Sequence, residues 1–267
     1  MNEKKIGFIG VGNMANAIIG GILKNRIPAN QIALYNRHPE KCAALEKKGM
    51  TVCSSAEELT RLCDIIFLTI KPQNFPEVLE QIRSSASQDK IFVSVAAGIS
   101  TKYIREELQG TYMVIRAMPN TPLSIAKGAT ALYCPPGVPE EALRLVKSFF
   151  EACGMVRMIS EEEMNPIISI SGSSPAYFYL FVKAMTDYAR QQGLNPQMAL
   201  ELICQTMIGS AGMLLETGKT AEELIRMVSS PGGTTLEALK VFQESDVEGI
   251  ICNAMKACAH RAEELEK

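Results

Sequence analysis

The chain has 267 residues, 47% of them hydrophobic, and a net charge of −2. That is material for one large or two modest packed domains, and near-neutral charge with no Lys/Arg run argues against a nucleic-acid surface. The first apolar run, Ile6–Ile9, is far too short for a signal peptide or a membrane span, so the expectation is a cytoplasmic protein with no membrane or nucleic-acid partner.

The chain opens on Ile6-Gly7-Phe8-Ile9-Gly10-Val11-Gly12-Asn13-Met14-Ala15. A short apolar run ends in Gly-x-Gly-x-x-Ala, and an apolar helical pattern follows. This reads as a strand, a tight turn and the start of a helix that binds a dinucleotide. Gly10 makes the turn, Gly12 lets the backbone approach a pyrophosphate, and small Ala15 lets the helix pack close to the strand. Ile9, Asn13 and Met14 flank the site. The free N–H groups and positive dipole end of the helix hold the phosphates.

Apolar runs then alternate with helical patterns. Strands are expected at Ile32–Tyr35, Thr51–Cys53, Ile65–Ile70, Ile91–Val95, Tyr112–Met118, Ala129–Tyr133 and Met155–Ile159. Helices are expected at Pro39–Lys48, from a capping box at Ser55 to Leu62, near Pro76–Ser84, at Thr101–Leu108 and at Glu140–Cys153. The continuous apolar runs at Ile65–Ile70 and Ile91–Val95 suit strands buried on both faces. Repeated strand–helix alternation implies an α/β Rossmann domain with a doubly wound parallel sheet, over residues 1–159.

Ligands of such sheets bind beyond the carboxyl ends of the strands. The second strand ends in Asn36-Arg37, where NAD enzymes usually carry an acid for the ribose hydroxyls. Asn36 and Arg37 can instead donate to a 2′-phosphate, which favours NADP over NAD. Later strand ends read Ile70-Lys71-Pro72, Ala96-Ala97-Gly98 and Met118-Pro119-Asn120-Thr121-Pro122. Their small residues and prolines make rigid, close-approach loops around a flat cofactor. Lys71 and Asn120 lie where a nicotinamide or its ribose would be.

After Ile159 the strand signals stop, and residues 160–267 read as an all-α domain. Ser160-Glu161-Glu162-Glu163 is a capping-box start, and Pro166 must lie early in its helix or kink it. Ser171–Pro175 is a small-residue break before a helix from Ala176. Asn195-Pro196 caps the next helix, which runs to Thr217 with Gly218 as its stop. Both helices are apolar nearly all round and must be buried on all sides. A small helical domain cannot do that alone, so an intimate homodimer with interleaved helices is expected.

Thr220 caps a short helix that leads into Ser229-Ser230-Pro231-Gly232-Gly233-Thr234-Thr235-Leu236-Glu237. Thr234 with Glu237 reads as a capping box, and the glycines leave N–H groups bare. Such a nest suits a carboxylate, and Thr235 adds a hydroxyl. A final helix spans roughly Val247 to Leu265. None of the eight cysteines forms Cys-x-x-Cys, so they read as reduced core residues. With only His38 and His260 available, no zinc site is expected.

Together these segments resemble pyrroline-5-carboxylate reductase. The resemblance covers essentially the whole chain. It rests on Phe8–Met14, Ile70–Gln73, Ala96–Gly98, Met118–Pro122, Ser171–Ser173, Pro175–Tyr177 and Ser229–Thr235, the last being the family's signature. It implies reduction of a cyclic imine carboxylate, 1-pyrroline-5-carboxylate, to proline, with NADPH as donor and NADH also allowed. It further implies a homo-oligomer built on a helical dimer. Thr235 would contact the ring nitrogen, the Gly233 and Thr234 N–H groups would hold the carboxylate beside Gly232, and Glu161 and Ser174 would lie near the pocket. Two positions depart from the family: Ser174 replaces a usual Gly, and Ala56 replaces an Asn that some members place near the adenosine ribose. A β-hydroxyacid dehydrogenase, which relies on a mid-helix Lys, would have only Lys183 to use. A nucleotide sensor without chemistry is the other alternative.

Overall fold

A computed structural model describes residues 4–24 and 26–266. The chain divides into two compact units, Met1–Pro175 with Ala257–Lys267, and Ala176–Lys256. The expected boundary at 159/160 falls where the last strand ends, and the first unit keeps the following segment to Pro175 as well as the last turns of the chain.

The first unit is built on an eight-stranded sheet. In chain order it runs β1 (Ile6–Ile9), α1 (Asn13–Lys24), β2 (Ile32–Tyr35), α2 (Ala43–Glu46), β3 (Thr51–Val52), α3 (Ala56–Leu62), β4 (Ile65–Leu68) and α4 (Phe75–Ile82). It continues with β5 (Ile91–Ser94), α5 (Thr101–Leu108), β6 (Met113–Met118), β7 (Gly128–Tyr133), α6 (Glu140–Glu151), β8 (Gly154–Met158) and α7 (Met164–Ile167). The sheet order is β3-β2-β1-β4-β5-β6-β7-β8. Strand order reverses between β1 and β4, and that is where the crevice for a ligand opens.

The sheet is not parallel throughout. β6 and β7 pair antiparallel, so β7 and its parallel neighbour β8 run against the first six strands. The reason lies in the connection. Only the short segment 119–127, with one 3-10 turn at Thr121–Ile125, joins β6 to β7. A parallel return needs a crossover of about a dozen residues or more.

Strand pleating sends alternate side chains to two cores. Ile6, Phe8, Ile65 and Phe67 face α1 and α6, whereas Ile9, Ile66 and Leu68 face α3 and α4. Phe8 and Phe67, on neighbouring strands, stack with centroids 4.7 Å apart. Each such buried ring stabilises the unit by about 1.5–3 kcal/mol. Ala15 is fully buried on the sheet side of α1, as its small size requires. The expected helix at Pro39–Lys48 is shorter: a 3-10 turn at Pro39–Lys41 followed by α2.

The second unit is helical: most of α8 (Ser174–Gln191), α9 (Pro196–Glu216), α10 (Ala221–Val228), α11 (Thr234–Glu244) and the first part of α12 (Val247–Glu264). Asn195 caps α9 by accepting from the Met198 N–H at 3.0 Å, and Thr220 with Glu223 forms a complete capping box on α10. In the single chain the apolar surface of α8 and α9 is exposed, including Phe178, Leu180, Tyr188, Leu202, Ile208 and Leu215. By length and composition α9 could cross a membrane, and only 11% of its most apolar window is buried.

Candidate active site

The turn after β1 is held from two sides. The Gly10 N–H donates to the Tyr35 carbonyl at 2.8 Å, and the Thr69 hydroxyl donates to the Gly10 carbonyl at 2.5 Å. Gly10 has φ +95°, and a Cβ there would lie 2.8 Å from the Thr69 carbonyl oxygen. The fold itself therefore demands glycine at this position. Gly12 is different: a Cβ there would meet nothing within 4 Å, and its φ is ordinary. No protein atom needs that space. The open space against the backbone at the start of α1 fits a dinucleotide pyrophosphate. The first turn of α1 carries no acid to oppose it.

A cleft of about 380 Å³ opens beside this turn. Ile9, Gly10, Gly12, Asn36, Arg37, Ile70 and Lys71 line it, together with His38 and Lys41. The Asn36 amide donates to the His38 carbonyl at 3.0 Å, which shapes the loop after β2. Arg37 lies 3.5 Å from Glu77, both half exposed, so its guanidinium is free to exchange that partner for a phosphate. His38 and Lys41 escaped the sequence reading. The signal for Lys41 was a base four residues after Arg37, on the short turn that follows the strand.

Asn13 and Met14 lie on a neighbouring cavity of about 540 Å³, with Thr121 and Ser124. Pro72 starts the 3-10 turn after Lys71. Ala96, Ala97 and Asn120 stand at the ends of β5 and β6, outside the first cleft. Asn120 is a bracket: its amide donates to the Ser171 carbonyl at 3.0 Å, and its oxygen accepts from the Ala129 N–H at 2.9 Å. It thereby fastens a π-helical segment, Ile168–Gly172, to the sheet. Such segments are frequent at functional sites.

Glu161 does not open a helix. The Glu163 carboxylate closes back on the Ser160 N–H at 2.7 Å, and α7 starts only at Met164, with Pro166 in its first turn. Glu161 instead accepts from the Thr101 N–H at 2.7 Å and the Thr101 hydroxyl at 2.9 Å, at the start of α5. It also faces Arg116, fully buried on β6, at 3.8 Å. Burial pushes the Arg116 pKa down, and Glu161 and Glu266 partly offset that.

In the helical unit, the Thr234 capping box does not form. Gly233 is the N-cap of α11 and contributes no side-chain hydrogen bond, so Thr234 and Thr235 are the first two helical residues. Glycine has no side chain to compete for the first N–H groups. Gly232 has φ +70°, and the Gly233 N–H donates to the Ser230 carbonyl at 2.9 Å. No cap side chain reaches the first N–H groups of α11, and the positive end of a helix dipole suits an anion. Ser174 is the first residue of α8. Lys183 pairs with Asp187 at 2.7 Å on an exposed strip, which leaves no buried lysine for β-hydroxyacid chemistry there.

Comparison with known proteins gives the same two parts. Residues 161–265 match the family model for pyrroline-5-carboxylate reductase dimerisation, and residues 5–98 match one described as NADP oxidoreductase, coenzyme F420-dependent. A pyrroline-5-carboxylate reductase of Escherichia coli (strain K12) is 39% identical over 267 residues, covering 99% of each chain. The structure of a pyrroline-5-carboxylate reductase from Coxiella burnetii superposes with a TM-score of 0.86 at 35% identity over the full length of both chains. The Plasmodium falciparum pyrroline carboxylate reductase with NADP bound gives 0.93 at 28% identity, again covering both chains fully. On this full-length identity the chain belongs to the pyrroline-5-carboxylate reductase family.

Proposed function

We infer that the chain reduces 1-pyrroline-5-carboxylate to L-proline, the last step of proline biosynthesis. The observation that carries the reading is Gly12, whose missing side chain serves no protein contact, in a chain 39% identical end to end to a reductase of this name. NADPH, when bound, supplies the hydride that reduces the imine carbon.

The protein's own part is to hold and orient. The N–H groups at the start of α1 take the pyrophosphate. Arg37, Asn36 and Lys41 line the cleft for the 2′-phosphate. Lys71, Pro72, Ala96 and Ala97 frame the remainder of the cofactor along the strand ends. The Thr234 and Thr235 N–H groups, with Gly232 and Gly233 shaping the turn, take the substrate carboxylate. The Thr235 hydroxyl contacts the ring nitrogen, which enters protonated or takes its proton from water through Thr235. Ser174 adds a hydroxyl at the start of α8. Most of the rate gain then comes from proximity and orientation, because iminium reduction asks for little else. A strong general acid is not required.

The assembly is a homo-oligomer, as a dimerisation domain implies. Its core is a dimer in which the exposed apolar faces of α8 and α9 are covered by a second copy, which also accounts for the hydropathy of α9. A cytoplasmic setting belongs to this proposal, with all eight cysteines free. Steady-state oxidation of NADPH in the presence of the cyclic imine tests the reading. Turnover with proline as product supports it, and NADPH binding without oxidation would replace it by a nucleotide sensor. Thr235→Ala is expected to lower kcat/KM by about tenfold, and unchanged kinetics would remove Thr235 from the mechanism.

A further inference from the structure

Arg116 stands out among the buried side chains. It is 0% exposed, its Nε and Nη1 atoms have no hydrogen-bond partner, and no step above uses it. A buried, incompletely satisfied guanidinium is costly, and an apolar residue of similar volume is often as stable or more so. Its partners show what it is for. Its Nη2 donates to the Asn165 side-chain oxygen Oδ1 at 3.3 Å. The Asn165 amide in turn donates to Glu266 at 2.9 Å. Its Nη1 faces Glu161 at 3.8 Å, and Glu161 grips both the N–H and the hydroxyl of Thr101.

Both routes end on the same short turn, the one leading from β5 into α5. Glu161 fixes its far end at Thr101. The chain end fixes its near end, because Leu265, next to Glu266, packs directly on Gly98, where a Cβ would lie 2.7 Å from the Leu265 carbonyl carbon. Gly98, at φ +68°, can accept that approach only as glycine. One guanidinium therefore ties together two clamps on Ala96–Thr101.

We propose that Arg116 is a positioning residue for hydride transfer, holding the Ala96–Thr101 turn, and with it the nicotinamide, through Glu161 on one side and Asn165–Glu266 on the other. This rests on the reductase reading, in which Ala96 and Ala97 of that turn help frame the part of the cofactor beyond its phosphates, the part that includes the nicotinamide. Arg116 touches neither cofactor nor substrate. It acts by keeping the turn from shifting, and a misplacement of about 1 Å can cost about a hundredfold in rate.

The test compares the unaltered protein with Arg116→Met, Arg116→Lys and Glu266→Ala. Glu266 is exposed, so its variant keeps the fold if Arg116→Met does not. Hydrogen exchange of the ligand-free protein is expected to speed up at the Thr101 amide in Arg116→Met. In Glu266→Ala the rise is expected at the Gly98 amide. Amides of β1, β4 and the helical unit should stay as they were. With NADPH deuterated at C4, each epimer in turn, the variants are expected to show a larger primary isotope effect on kcat with the epimer that transfers its deuterium, and a kcat lowered about tenfold or more. The NADPH Kd, from its fluorescence, should change by less than about twofold, since the phosphate contacts are elsewhere. Arg116→Lys keeps the charge beside Glu161 without the fork and should fall between. Uniformly raised exchange, or lower kcat with an unchanged isotope effect, would make Arg116 a stability residue only and overturn the proposal. Absence of turnover by the unaltered protein would overturn the reductase reading and this role with it.

Discussion

Gly10 and Gly12 are two residues apart in one motif, yet the structure gives them different reasons to be glycine. Gly10→Ala is expected to destabilise by about 1–3 kcal/mol, because φ is positive and the Thr69 carbonyl is in the way. Gly12→Ala is expected to leave the melting temperature unchanged and to weaken NADPH binding by about tenfold or more, through loss of the closest backbone approach. A thermal melt and a fluorescence titration of both variants separate the two effects. If Gly12→Ala bound NADPH normally, the pyrophosphate would not lie there. The proposed 2′-phosphate contact lies on the same cleft, at Arg37. Arg37→Ala should raise the NADPH Kd by about tenfold or more, the scale of a charge-assisted hydrogen bond, with NADH changed by less than about twofold. Equal losses for both cofactors would place Arg37 away from the 2′-phosphate. The glycines and Arg37 were legible in the sequence because their chemistry is local. Arg116, Asn165 and Glu266 were not, since residues 101, 116, 161, 165 and 266 meet only once the chain has folded.

At the level of elements, apolar runs and capping signals placed nearly every strand and helix to within a few residues. Besides the shorter α2 and the late start of α7, two features were hidden. Alternation of strand and helix suggested a wholly parallel sheet, but the connection after β6 is too short to cross over, so β7 turns back. Thr234-Thr235-Leu236-Glu237 has the spacing of a capping box, but Gly233 takes the cap position instead. The consequence bears on the proposed function, because a cap without a side chain leaves the first N–H groups of α11 uncapped. The nearly unbroken apolar circumference of α8 and α9 was legible because it is written in consecutive residues, and in the single chain much of it is exposed. Ile208→Glu, on the exposed face of α9, is expected to give a monomer in analytical ultracentrifugation. An unchanged oligomer would mean that α9 is covered elsewhere.

For the whole molecule, the central claim is that hydride passes from a reduced dinucleotide to an acid-bearing cyclic imine. Fold similarity alone would not carry that, since folds of this kind serve many reactions. Full-length identity with the reductases does carry the reaction. The side-chain inventory agrees, because the reaction needs orientation more than acid–base chemistry. The most direct measurement follows the label. Protein, 1-pyrroline-5-carboxylate and NADPH deuterated at C4, each epimer in turn, are allowed to turn over, and the proline formed is examined by NMR. The account predicts one deuterium per molecule, from one epimer only, on the ring carbon next to nitrogen that does not bear the carboxylate. Oxidation of NADPH without deuterium in proline, or no oxidation at all, would contradict it.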